Sequence, residues 1–142
     1  MGNDFKSLTE ELKELNLPPD QFAVFGSGPA RVRELLSRKI SDLDLIVTEA
    51  LWRKLSSQYH VKETVSKSGK SQKIDLTENI EVYKYYFYYK RGGLDRLIKE
   101  ADVIEGIRYV KLEAILSFKK FLNRPKDRQD IKAIEDYLKK AH

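Results

Sequence analysis

Cysteine is absent from this 142-residue chain, which excludes disulfides, thiolate metal sites and a cysteine nucleophile and makes a cytoplasmic location the expectation. Histidine occurs only as His60 and His142, at no spacing that fits a metal pair or a catalytic couple. No apolar run approaches the roughly 18 residues of a membrane span, so no membrane partner is expected. The opening MGNDFKSLTEELKELN is amphipathic and acidic. It lacks the basic and apolar blocks of a secretory signal. Internal repeats, low-complexity tracts and linkers are also missing.

What is present describes a charged chain with enough apolar residues for one core. Hydrophobic residues make up 41% and charged residues 35%, with a mean hydropathy of -0.56, so one domain over 1–142 is expected. Net charge is +5. That favours a phosphate-rich partner, but a lysine-rich surface gives the same number, and nucleic acid is only weakly indicated.

Apolar periodicity organises the chain as helix, strand, helix, strand, helix, three strands, then helices. Leu8, Leu12 and Leu15 recur at helical spacing before Pro18-Pro19 ends the pattern. Phe22 to Phe25 reads as a short strand, and Gly26-Ser27-Gly28 as a turn. Pro29 suits a first helical position, with Val32, Leu35 and Leu36 as that helix's buried stripe. Leu43, Leu45 and Val47 point opposite to Asp42 and Asp44, and a further helix runs from Thr48 through Leu51, Trp52 and Leu55. From Val61 to Tyr89, β-branched and aromatic residues are interrupted at Ser68-Gly69 and Thr77-Glu78-Asn79, which fits two antiparallel turns. After Arg91-Gly92-Gly93 the helical period returns. The expected class is α+β, a small mixed sheet of about five strands flanked by helices, with a core over about 20–91 and a helical part over about 94–140.

The chemistry concentrates in Gly26-Ser27, fourteen intervening residues, and Asp42-Leu43-Asp44. Residues two apart on a strand share a face, about 6.6 to 7 Å apart, so the two carboxylates project together and repel. A divalent cation relieves that conflict, and Mg²⁺ prefers such hard oxygen ligands. Three familiar motifs fail on particular residues. Ile46 and Val47 replace the ligand and glycine of a calcium loop, GSGPARVRE has no Gly-Lys-Ser/Thr, and Arg31 occupies the third glycine of a dinucleotide fingerprint. What survives is a turn whose N–H groups and following helix N-terminus can hold a phosphate, beside a strand bearing two metal-ligating acids.

With Phe25-Gly26-Ser27 and Asp42-Leu43-Asp44-Leu45, the chain resembles the nucleotidyltransferase-fold superfamily of DNA polymerase beta-like enzymes. The stretch from Gly106 to Glu113, then Lys119, Arg124-Pro125-Lys126-Asp127 and Asp130, is similar to the small bacterial branch that includes aminoglycoside and lincosamide nucleotidyltransferases and minimal nucleotidyltransferases. The resemblance implies that Gly26 and Ser27 contact nucleotide phosphates, that Asp42 and Asp44 hold Mg²⁺, and that a third acid follows on a neighbouring strand. Glu81, after the Thr77-Glu78-Asn79 turn, and Asp75 are the candidates for it, Glu81 being favoured. Two ions about 3.5 to 4 Å apart can clamp the attacking and leaving oxygens of an in-line displacement. The implied reaction moves a nucleoside monophosphate from an NTP to an acceptor hydroxyl and releases pyrophosphate.

Several residues carry competing readings. Lys119 follows an apolar stripe and either snorkels, pairs with an acid such as Asp127, or reaches toward phosphates, and the resembling family often has a lysine there. Arg38 either meets the nucleotide or belongs to a solvated loop. Arg124, Lys126, Asp127 and Asp130 read best as charge pairs at a helix junction. Tyr83, Tyr85, Phe87 and Tyr89 share a face with Glu81, and Tyr86 and Tyr88 lie opposite; packing is the plainer role for this strip, stacking of a base or acceptor the alternative. The functional alternative is a non-catalytic or antitoxin-like protein of the same fold that binds a helical partner protein or nucleic acid. The short chain makes a homodimer a further expectation.

Overall fold

The tetrad Phe22–Phe25 is buried at every position and forms strand β1, an interior strand of the sheet that positions everything else. The structure is a computed structural model that describes residues 2–66, 69–85 and 93–141. Before β1 comes α1 (Gly2–Glu14), and after it a short α2 (Gly28–Val32), β2 (Leu43–Val47) and α3 (Glu49–Gln58). The Thr48 hydroxyl caps α3 by accepting from the Leu51 amide at 3.3 Å. Three strands follow, β3 (Lys62–Ser66), β4 (Gly69–Asp75) and β5 (Ile80–Tyr85). The chain then gives α4 (Gly93–Lys99), β6 (Asp102–Ile104), β7 (Ile107–Tyr109), α5 (Leu112–Leu122), a 3₁₀ turn (Pro125–Asp127) and α6 (Arg128–Ala141).

The class is α+β, with one mixed sheet in the order β3-β4-β5-β2-β1-β7-β6. Both expected hairpins form: β3 pairs antiparallel with β4, and β4 with β5. Among the described residues seven strands stand where about five are expected, because Asp102–Ile104 and Ile107–Tyr109 form a hairpin inside the part read as helical. Glu105 and Gly106 both take positive φ, 51° and 82°, as a two-residue hairpin turn requires. Through β7, parallel to β1, this hairpin extends the sheet. α2 is also shorter than its stripe implies: Glu34 at φ 61° breaks the backbone, leaving Leu36 buried outside the helix.

Alternation along the strands divides the core between two faces. Leu43, Leu45 and Val47 pack with Phe5, Leu8 and Leu12 of α1 and with Leu51, Trp52 and Leu55 of α3. Ala23, Phe25 and Ile46 face Ile98 of α4, Ile115 and Phe118 of α5, and Ile134 of α6. Asp44 shares the second face with Ile46, so it points toward α5 and α6. No helix among the described residues is long and apolar enough to cross a membrane. Tyr86, Phe87, Tyr88, Tyr89, Arg91, Gly92, Ser68 and His142 lie outside the described residues.

Candidate active site

Register decides which acids meet. Asp44 on β2 stands directly opposite Phe25 of β1 on one side and Glu81 of β5 on the other. Glu81 in turn stands opposite Asp75 of β4. The two candidates for a third acid are therefore cross-strand partners in one row, and only Glu81 is on the strand beside Asp44. Asp75 is one strand further, about 4.8 Å more across the sheet. Carboxylate oxygens of Asp42, Asp44 and Glu81 lie within 4.8 Å of one another. Asp42 sits just ahead of β2 rather than inside it, and is exposed where its companions are half-buried.

The turn that delivers Glu81 is braced from α1. The Thr77 hydroxyl accepts from the Asn79 and Ile80 amides at 3.1 Å each, and Glu11 accepts from the Thr77 hydroxyl and, at 3.1 Å, from the Asn79 side chain. The Leu43 amide donates to the Asn79 carbonyl at 2.8 Å, tying this turn to the start of the acidic strand.

For Asp42 and Asp44, burial and neighbouring carboxylates outweigh the nearby cations. Burial first, then the charges of Asp42 and Glu81, push the Asp44 carboxyl up to about 7. Asp42 is raised by burial and by Glu81. Among the described residues the trio is met by Lys73 on β4, whose ammonium donates to Glu81 Oε2 at 2.5 Å and lies 3.4 Å from Asp75. The Tyr83 hydroxyl donates to the same Glu81 oxygen at 3.1 Å. Asp75 is occupied by Lys62 at 2.6 Å and by Lys73, and its pKa is lowered by those bonds against the effect of burial.

Around the Gly26-Ser27 turn the charge reverses. Gly26 has φ +66°, and a Cβ there would stand 3.0 Å from Asp44 Oδ2, so a glycine both forms the turn and clears the acid. The Ser27 hydroxyl accepts from Arg38 Nη2 at 2.7 Å and from Lys119 Nζ at 3.5 Å, and donates to Asp130 Oδ2 at 3.2 Å. Arg38 and Lys119 both pair with Asp130, at 2.7 and 3.3 Å. Lys119 is 4% exposed and also pairs with Asp127 at 3.2 Å. It therefore does not snorkel. Arg124 grips Asp127 with two bonds, 2.6 and 3.2 Å. Burial works against the charge on Asp127 and Asp130, yet their cationic partners outweigh it and lower both pKa values.

Acids and cations share one cleft of about 660 Å³, lined among others by Ser27, Arg38, Lys73, Lys119, Arg124 and Lys126. Tyr83 and Tyr85 also line it and stack on each other, centroids 5.3 Å apart and planes 6° apart; Tyr85 further packs on Phe25 and Phe118. The described half of the aromatic strip thus joins cleft wall to core. α2, at five residues, contributes little helix dipole. Cationic side chains, rather than a helix N-terminus, supply the positive side. Lys73 is the site residue that sequence reasoning missed. Its signal was available in alternation with Asp75, but its approach to Glu81 depends on the β4–β5 register. The all-oxygen trio, in which burial and neighbouring carboxylates raise Asp42 and Asp44, matches the donor set of a hard divalent cation.

No family model and no curated protein matches the chain. Among solved structures, the Megavirus polyadenylate synthase superposes with a TM-score of 0.45 at 16% identity, over 94% of this chain and 32% of the viral one. The chain thus spans about a third of that protein's length.

Proposed function

We propose that the protein is a divalent-metal-dependent nucleotidyltransferase that moves a nucleoside monophosphate from an NTP to an acceptor hydroxyl. The observation that carries this is the opposition of charges in one cleft: three converging carboxylates beside a serine turn met by Arg38 and Lys119. Asp42, Asp44 and Glu81 would hold Mg²⁺, in one or two ions. When bound, the metal neutralises phosphate charge and lowers the pKa of the acceptor hydroxyl.

The chain's own residues bind and orient. Gly26 lets the backbone pass close to Asp44, and the Ser27 hydroxyl, Arg38 and Lys119 take the β- and γ-phosphates. Asp130 and Asp127 keep those cations fixed while the site is empty. The acceptor oxygen forms a bond to the α-phosphorus as the bond to the β-phosphate oxygen breaks, the hydroxyl proton passes to solvent, and pyrophosphate leaves toward the cationic side. Little covalent work falls to the protein in such a transfer, where positioning and charge neutralisation dominate. Incubation with Mg²⁺ and each α-labelled NTP in turn, with pooled small-molecule, RNA and protein acceptors, tests the proposal. Label transfer and pyrophosphate release that vanish in Asp42→Ala/Asp44→Ala support it, and turnover unaffected by the double substitution sinks it.

A further inference from the structure

Lys73 has no role in the transfer just described, yet among the described residues it is the cation paired with a member of the acid trio. It stands between two carboxylates of one cross-strand row: 2.5 Å from Glu81 Oε2 and 3.4 Å from Asp75 Oδ1. Asp75 is held from its other side by Lys62 at 2.6 Å. Charges therefore alternate across β3, β4 and β5 as Lys62, Asp75, Lys73 and Glu81. Side chains of Lys73 and Glu81 are only 22% and 16% exposed, so their attraction is weakly screened by solvent.

We infer that Lys73 is a resident counter-ion that stabilises the metal-free acid trio and competes with the first metal ion, so that metal loading depends on nucleotide. This rests on the proposed metal site. A divalent cation approaching Asp42, Asp44 and Glu81 meets a positive charge already seated on Glu81. Asp75 is the anion toward which Lys73 can shift as Glu81 is taken, since it is already within 3.4 Å. The triphosphate brings the negative charge that offsets Lys73, so metal and nucleotide load together. Asp75, the unsuccessful candidate for third acid, thereby acquires a positioning role: it acts on the metal through Lys73.

The test is Mn²⁺ binding to the full chain, followed by electron paramagnetic resonance of free Mn²⁺, with and without a non-hydrolysable NTP analogue. Removing one charge-assisted bond from the competitor in Lys73→Met should tighten Mn²⁺ alone about tenfold and shrink the enhancement given by the analogue. The same substitution should lower the thermal midpoint of the metal-free protein. Lys73→Arg keeps the charge and should bind as the native chain does, and Lys73→Gln gives a second neutral side chain if the methionine variant folds poorly. Asp75→Asn should weaken Mn²⁺ about two- to threefold, the scale of a partly exposed pair, and this effect should disappear in the Lys73→Met background. Unchanged or weaker Mn²⁺ binding in both neutral variants overturns the inference. If the native chain binds no Mn²⁺ with or without the analogue, the metal site itself fails, an outcome distinct from native binding that Lys73 does not influence.

Discussion

Asp44 ionises against burial and against the charges of Asp42 and Glu81, which push its carboxyl up to about 7. In the unfolded chain it titrates near 3.8. Between those values the folded state holds a proton that the unfolded state has lost, so stability falls as pH rises from about 4 to 7 and is flat above. Metal-free Asp44→Asn should thus be more stable than the native chain at pH 8, by on the order of a few kcal/mol, with the difference vanishing near pH 4; denaturant melts at the two pH values measure it. Asp130 presents the opposite case, a carboxylate 1% exposed that is held charged by Arg38 and Lys119. Asp130→Asn leaves buried Lys119 with Asp127 as its carboxylate partner, at 3.2 Å, and should cost about 1–3 kcal/mol by the same melts. At this scale the sequence was legible where motif residues are adjacent: the Asp42-Leu43-Asp44 spacing shows that the two carboxylates converge, but not that Asp42 lies just ahead of β2. The bond between Ser27 and Asp130 joins positions 103 apart, and no local pattern encodes it. Charge-pair roles for Asp127 and Asp130 could be read, but not their convergence on the Gly-Ser turn.

Among the elements, the β4–β5 hairpin and its brace on α1 set the third acid in place. Glu11→Ala removes the acceptor for Thr77 and Asn79 and should cost about 1–3 kcal/mol, with faster amide hydrogen exchange confined to the 76–80 turn. Gly26→Ala combines a positive φ with a Cβ 3.0 Å from Asp44 Oδ2. It should cost about 1–2 kcal/mol for the backbone alone and displace the acid, seen as a lost pH dependence of stability. Helices with a strong apolar period, α1, α3, α5 and α6, were readable because burial repeats along them. The hairpin of β6 and β7 was not. Three-residue strands carry too little alternation to show a period of two, and Asp102 is spent on pairs with Arg33 and Lys111. The choice between Asp75 and Glu81 was undecidable locally for a related reason, since both are acids between apolar residues and only the sheet order places β5 beside β2.

Over the whole molecule, a net charge of +5 conceals a division. Carboxylates gather at the start of β2 and on β5, while Arg38, Lys119 and Arg124 gather where the 38–42 loop meets α5 and the 3₁₀ turn, and all of them line the cleft. Composition reports only the sum, so the polarity of the cleft was invisible until the fold assembled it. A site with three acids sharing Lys73 on one side and caged cations on the other is built for a ligand carrying both signs, as a metal–triphosphate does. The account stands on those three carboxylates acting as one metal site. The most direct measurement is Mn²⁺ affinity in the presence of a non-hydrolysable NTP analogue for the native chain, Asp42→Asn, Asp44→Asn and Glu81→Gln. Each substitution should weaken binding at least about tenfold, as loss of a ligand does. Native-like affinity in the three variants would contradict the account.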